Sequence, residues 1–147
     1  YYKLFGPYLA GAKKIVVEDA YVRKPYQLRN LAEFLEMLLR CKNPDEDVAV
    51  HLVTGHNEPG FMEAQLDGLN ELASTFSQLG VNLTYEFSDT LHDRSITADT
   101  GWEILPGRGL DIFQKFVDGD WLNPLLRHQQ LRRVKECKVT YQRVREK

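Results

Sequence analysis

Cysteine is scarce in these 147 residues, with only Cys41 and Cys137 present. Two widely separated thiols make no disulfide framework. They could pair only if the fold brought them together, and a reduced, cytoplasmic setting is the expectation. Long apolar runs are also missing. No stretch approaches the roughly 18 apolar residues of a spanning helix, and Tyr1-Tyr2-Lys3-Leu4-Phe5 does not read as a signal peptide. There is no P-loop, no G-x-G-x-x-G and no G-x-S-x-G elbow, so nucleotide-dependent and serine-hydrolase chemistry have no support. His51 and His56 lack a Cys or Glu partner at ligand spacing, so neither a metal nor a cofactor is expected.

What is present is globular. Apolar residues make up 43% and charged residues 27%, which excludes a disordered or collagen-like chain. The length fits one domain over residues 1–147, and the abrupt start without methionine reads as a piece of something longer. The net charge of −2 hides an asymmetry. Residues 127–147 carry eight Lys/Arg against two Glu, while the remaining 126 residues hold eleven basic and nineteen acidic side chains. A basic end on an acidic body suits either a face for phosphate-bearing partners or a solvated terminal strand.

Periodicity supplies the architecture. Lys13–Asp19 has a β-branched apolar centre and reads as a strand. From Tyr26 to Arg40 the leucines 28, 31, 35, 38 and 39 form one helical stripe, with Pro25 in the first turn. Asn43-Pro44-Asp45 ends that helix, and Asp47–Thr54 reads as a second strand. A second helix follows Pro59, with Met62, Leu66, Leu69, Leu72, Phe76 and Leu79 on its inner face and Gly80 as its C-terminal cap. Val81–Phe87 alternates as a strand does. The order β-α-β-α-β predicts a sheet with parallel neighbours and helices packed on its faces. A hairpin follows, Ser95–Ala98 and Trp102–Leu105 around Asp99-Thr100-Gly101. Then come the turn Pro106–Gly109, a short segment near Leu110–Phe116 and a terminal strand near Glu136–Val144, with Cys137, Val139 and Tyr141 on one side.

Ligands of open α/β sheets gather at the carboxyl ends of the parallel strands. Three segments leave that edge: Asp19–Arg23, Thr54–Asn57 and Ser88–Arg94. The last runs into His92-Asp93-Arg94-Ser95-Ile96-Thr97-Ala98-Asp99, of the form H-x-R-x4-D. Arg94 would neutralise phosphate oxygens through paired hydrogen bonds. His92 would serve as nucleophile or proton carrier. Asp99 would either orient that histidine or accept turn hydrogen bonds. Arg23 either contacts the ligand or pairs with Asp19 at the surface. Arg108, between Gly107 and Gly109, either meets an anion or sits exposed on a tight turn. Trp102 and Trp121 are either interface or membrane anchors, or buried aromatics.

H-x-R-x4-D resembles the H-x-K-x4-D signature of the phospholipase D superfamily. Further blocks match in order: Lys3–Leu9, Asp19–Arg23, Gln27–Leu31, His92-Asp93-Arg94, Gly101-Trp102 and Gly107–Asp111. Together they resemble the phospholipase D-like domain at the C-terminus of MIT (microtubule-interacting and trafficking) domain proteins, over about residues 1–116. The resemblance implies a mixed sheet flanked by helices on both faces, in the C-terminal part of a larger protein. It also implies a non-catalytic, dimeric module that associates with membranes and binds acidic phospholipids.

The chain departs from active phospholipase D enzymes in three ways. It has one motif copy where the chemistry uses two histidines, Arg94 in place of lysine, and no Gly-Ser pair after Asp99. Three readings follow. The first is a homodimeric binding domain for a phosphate-bearing ligand, a lipid headgroup or nucleic acid, held by Asp19, Tyr21, Arg23, His92, Arg94 and Arg108. The second is a metal-independent phosphodiesterase or nuclease in which His92, Arg94 and Asp99 are catalytic and a dimer supplies the second histidine. The third is a structural adaptor with a relic pocket.

Overall fold

The computed structural model describes residues 1–91, 93–111 and 138–143. Helix α1 (Tyr2–Leu9) leads into β1 (Lys14–Glu18), α2 (Pro25–Cys41), β2 (Val48–Thr54), α3 (Met62–Ser77) and β3 (Val81–Phe87). The hairpin β4 (Ser95–Ala98) and β5 (Trp102–Pro106) follows, and β6 (Val139–Arg143) completes the described elements. The strands form one sheet in the order β3-β2-β1-β4-β5-β6. β1, β2 and β3 run parallel, while β4, β5 and β6 add antiparallel pairs, so the sheet is mixed as expected.

The two crossovers step the same way, β1 to β2 to β3, which puts α2 and α3 on a common face. Burial agrees. Ile15, Val17, Val50, Leu52 and Leu83 are buried with Leu31, Phe34, Leu35, Leu38 and Leu69 of the helices. Alternate strand residues, among them Val16, Ala49, Asn82, Thr84 and Glu86, face away and are exposed. The described helices thus account for one face of the sheet. No helix covers the other face among the described residues, and the segment at 112–116, Trp121, Cys137 and most of the basic tail fall outside them.

Two sequence expectations need correction. Periodicity predicts no element over residues 1–12, yet α1 forms there with Pro7 inside it. Tertiary packing overrides propensity here. Phe5 is fully buried against Tyr1 and Phe34, at centroid distances of 5.6 and 6.2 Å. Tyr8 stacks on Tyr141 at 4.2 Å and meets Trp102 edge-on at 4.9 Å. Trp102 is therefore a half-buried packing residue. Leu79, expected on the inner face of α3, is instead 50% exposed. The helix ends at Ser77, and Gly80 at φ +87° turns the chain into β3, so Leu79 lies past the helical register. The inner-face position missed in that stripe is Gln65, which is fully buried.

Candidate functional site

The carboxyl ends of β1, β2 and β3 share one edge with the start of β4 and the end of β5, because the hairpin runs antiparallel to β1. Asp19 leaves β1 there with only 3% of its surface exposed. Its carboxylate accepts the Tyr21 N–H on Oδ1 and the Leu110 N–H on Oδ2, each at 3.0 Å. Burial pushes the carboxyl above its ordinary range; the two N–H donors and the Arg94 guanidinium pull the other way. The turn at 107–110 closes over it. Gly109 has φ +60°, and a Cβ there would lie 2.1 Å from Asp19 Oδ2, so the close approach requires glycine. Asp19 thus ties the β1 loop to the turn that carries Arg108.

Tyr21 lies 47% exposed beside this tether, and two guanidinium carbons approach its ring. Arg23 Cζ is 4.9 Å and Arg94 Cζ 4.8 Å from the ring centroid. A phenol ring draws cations by its quadrupole. Here two of them approach the same ring. Both arginines are also anchored by backbone. Arg23 Nε donates to the Ala20 carbonyl at 2.8 Å, and Arg94 Nη1 donates to the Gly107 carbonyl at 2.8 Å. Each is thereby oriented without an acid partner on its remaining N–H groups among the described contacts. Arg108 is exposed on the same turn.

The loops are fixed from below by Gln65. Its Nε2 donates to the carbonyls of Val22 and Gly55 at 2.9 and 3.1 Å, and its Oε1 accepts the Asn57 N–H at 2.9 Å. A buried amide saturated this way locks the β1 and β2 loops together. Thr54 adds to the lock by accepting the Val22 N–H at 3.1 Å.

His56 lies at this edge, in the Thr54–Asn57 segment expected there, although the sequence offered it a role only as a metal ligand. Its Nδ1 lies 2.8 Å from Asp89 Oδ1, and its ring stacks on Phe87 at 4.4 Å. The hydrogen bond to His56 holds the Asp89 carboxyl below its usual range, with a smaller contribution from the Arg23 charge. The signal was in the register. Thr54 pairs with Phe87, so positions two beyond each are neighbours. His51 lies elsewhere, on the exposed sheet face, bridging Thr84 and Glu86 at 2.7 and 2.9 Å.

Of the predicted site residues, the structure gathers Asp19, Tyr21, Arg23, Arg94 and Arg108 at one edge. It does not bring Asp99 there. Asp99 tips the β4–β5 hairpin at the opposite end of the sheet, where Oδ1 accepts the Lys13 N–H at 3.0 Å. Its own N–H donates to the Lys14 carbonyl at 3.0 Å. β4 separates Arg94 from Asp99 by roughly 13 Å over its four residues. The turn-stabilising reading of Asp99 is therefore the one its contacts support. His92 falls outside the described residues.

A mixed sheet with parallel β-α-β units, an antiparallel hairpin beside β1 and arginine-bearing loops at the carboxyl edge defines an α/β domain of phospholipase D-like type. Residues 1–143 match the family described as the phospholipase D-like domain at the C-terminus of MIT, and the chain belongs to that family. It is 38% identical over 116 residues to mouse MIT domain-containing protein 1, a match that spans 78% of this chain and 46% of that protein. The chain thus covers about half the length of that relative. No helix among the described residues is long and apolar enough to cross a membrane.

Proposed function

We propose that this domain is a non-catalytic binding module for a phosphate-bearing ligand at the carboxyl edge of its sheet. Arg23 and Arg94 contact the anion, Tyr21 holds both in place, and Asp19 positions the turn that carries Arg108. The observation that carries the reading is the shared Tyr21 ring, which draws two guanidiniums to the edge where ligands of open α/β sheets collect. Guanidinium is the group best matched to phosphate oxygens.

An anionic lipid headgroup is favoured over a nucleic-acid strand. Outside residues 127–147 the chain holds eleven basic and nineteen acidic side chains, an excess that repels an extended polyanion while leaving room for one headgroup. Its family suggests that it works as a homodimer, which sedimentation would measure. Replacing Arg23 and Arg94 together by alanine should abolish salt-sensitive binding to vesicles containing acidic phospholipid while the melting temperature changes little. Unchanged binding would remove the reading.

A further inference from the structure

We infer that His56, oriented by Asp89, is a third ligand-contacting group of this edge and selects phosphate monoesters over diesters. The inference rests on the phosphate reading above and deepens it. Three observations place the imidazole near Arg23. A Cβ on Gly55, next to His56 in the chain, would lie 3.5 Å from Arg23 Nη2. Asn57, on its other side, donates from Nδ2 to the Arg23 carbonyl at 3.2 Å. The Arg23 charge also acts on Asp89 itself.

The ring is placed by its surroundings. Asp89 takes Nδ1 and Phe87 covers one ring face, while Nε2 has no protein partner among the described residues. An imidazole whose Nδ1 is held by a carboxylate presents Nε2 to a ligand, and in the protonated form it donates from both nitrogens. The charged group that touches it is Asp89 from the loop after β3, on which the Arg23 charge from the loop after β1 acts in turn.

The selectivity follows from counting oxygens and charge. A phosphate monoester carries close to two negative charges near neutral pH and three non-bridging oxygens. A diester has a single charge and only two such oxygens. Two guanidiniums satisfy the diester, whereas a third donor, on His56, gains a bond only with the monoester.

The test titrates the purified domain with phenyl phosphate and diphenyl phosphate. It then uses phosphatidylcholine vesicles carrying phosphatidic acid or the same fraction of phosphatidylglycerol. The wild type should favour the monoester by about tenfold, the worth of one charge-assisted hydrogen bond. A preference in the soluble pair alone supports a free phosphate ligand, and one in the vesicle pair supports a headgroup. His56→Gln and Asp89→Asn should both erase the preference by weakening monoester binding about tenfold. Asp89 is an exposed side chain, so its variant guards against misfolding of the first. A wild type without preference, or a preference that survives both substitutions, overturns the inference. If Arg94→Ala still weakens both ligands in that case, the arginine site stands; if it weakens neither, the underlying reading falls as well.

Discussion

Gly109→Ala should be among the most damaging single-methyl additions in this domain, and its cost can be worked from the geometry. At φ +60° an alanine pays about 1 kcal/mol for a left-handed backbone. The added Cβ would lie 2.1 Å from Asp19 Oδ2, so the carboxylate must move. Moving it gives up the Tyr21 and Leu110 N–H groups, each worth about 1–2 kcal/mol when left without an acceptor in a buried place. The expected loss is about 3–5 kcal/mol, a large part of the roughly 5–15 kcal/mol that holds a domain folded. Gly11→Ala is the control. It has φ +78° with nothing within 4 Å, so it should cost only the backbone term, about 1 kcal/mol. Urea denaturation followed by circular dichroism would measure both. In an Asp19→Ala background the clash partner is gone, and Gly109→Ala should fall to the cost of the control. Equal losses for Gly109→Ala and Gly11→Ala, or an undiminished loss in the double variant, would refute the reasoning.

Gln65→Leu leaves the Asn57 N–H and the Val22 and Gly55 carbonyls without their buried partner, and should cost about 3 kcal/mol. Faster amide exchange at Asn57 would accompany it. Asp99→Ala should cost about 1 kcal/mol through the lost Lys13 N–H bond and leave anion binding unchanged; weakened binding would return Asp99 to the ligand site. Two carboxylates should shift stability with pH in opposite directions. Burial raises the folded Asp19 carboxyl, so its contribution is largest below the unfolded value, near 3.8, and declines as pH rises through the folded one. Asp89 is lowered chiefly by His56, so its contribution is present above the unfolded value and lost as pH falls through the folded one. Melts of Asp19→Asn and Asp89→Asn across that range, each compared with wild type, would show differences of opposite slope. The Asp89 effect should be small and should shrink with salt, because that side chain is exposed.

Most of the fold was legible because α2, α3 and the strands bury one face each, and burial on one face writes a period into the sequence. Helix α1 was not legible. Eight residues containing Gly-Pro have no helical signature of their own, and what holds them is contact with Phe34, Trp102 and Tyr141, all distant in the chain. The site was legible where it depends on strand ends, since Asp19, Tyr21 and Arg23 follow β1 directly. At Asp99 the sequence allowed both an orienting and a turn role: β4 runs from the edge where Arg94 sits to the opposite end, and it carries Asp99 to the turn. Gln65 was hidden by its polarity, although it falls four residues before Leu69 and seven before Leu72 on the buried stripe.

The strand order explains why a mixed sheet suits this site. Read along the carboxyl edge, β3, β2, β1, β4 and β5 bring Asp89, His56, Tyr21 with Arg23, Arg94 and Arg108 in that spatial sequence. Neighbouring strands lie about 4.8 Å apart, so the loops that carry Arg23 and Arg94 leave adjacent strands at one edge. An all-parallel sheet would need a crossover to place Arg94 there, whereas the antiparallel hairpin starts β4 at the edge where β1 ends. The same reversal returns the 107–110 turn to Asp19, whose buried carboxylate needs two backbone donors that a single loop would not supply. Chain direction, rather than motif spacing, is what assembles these charges.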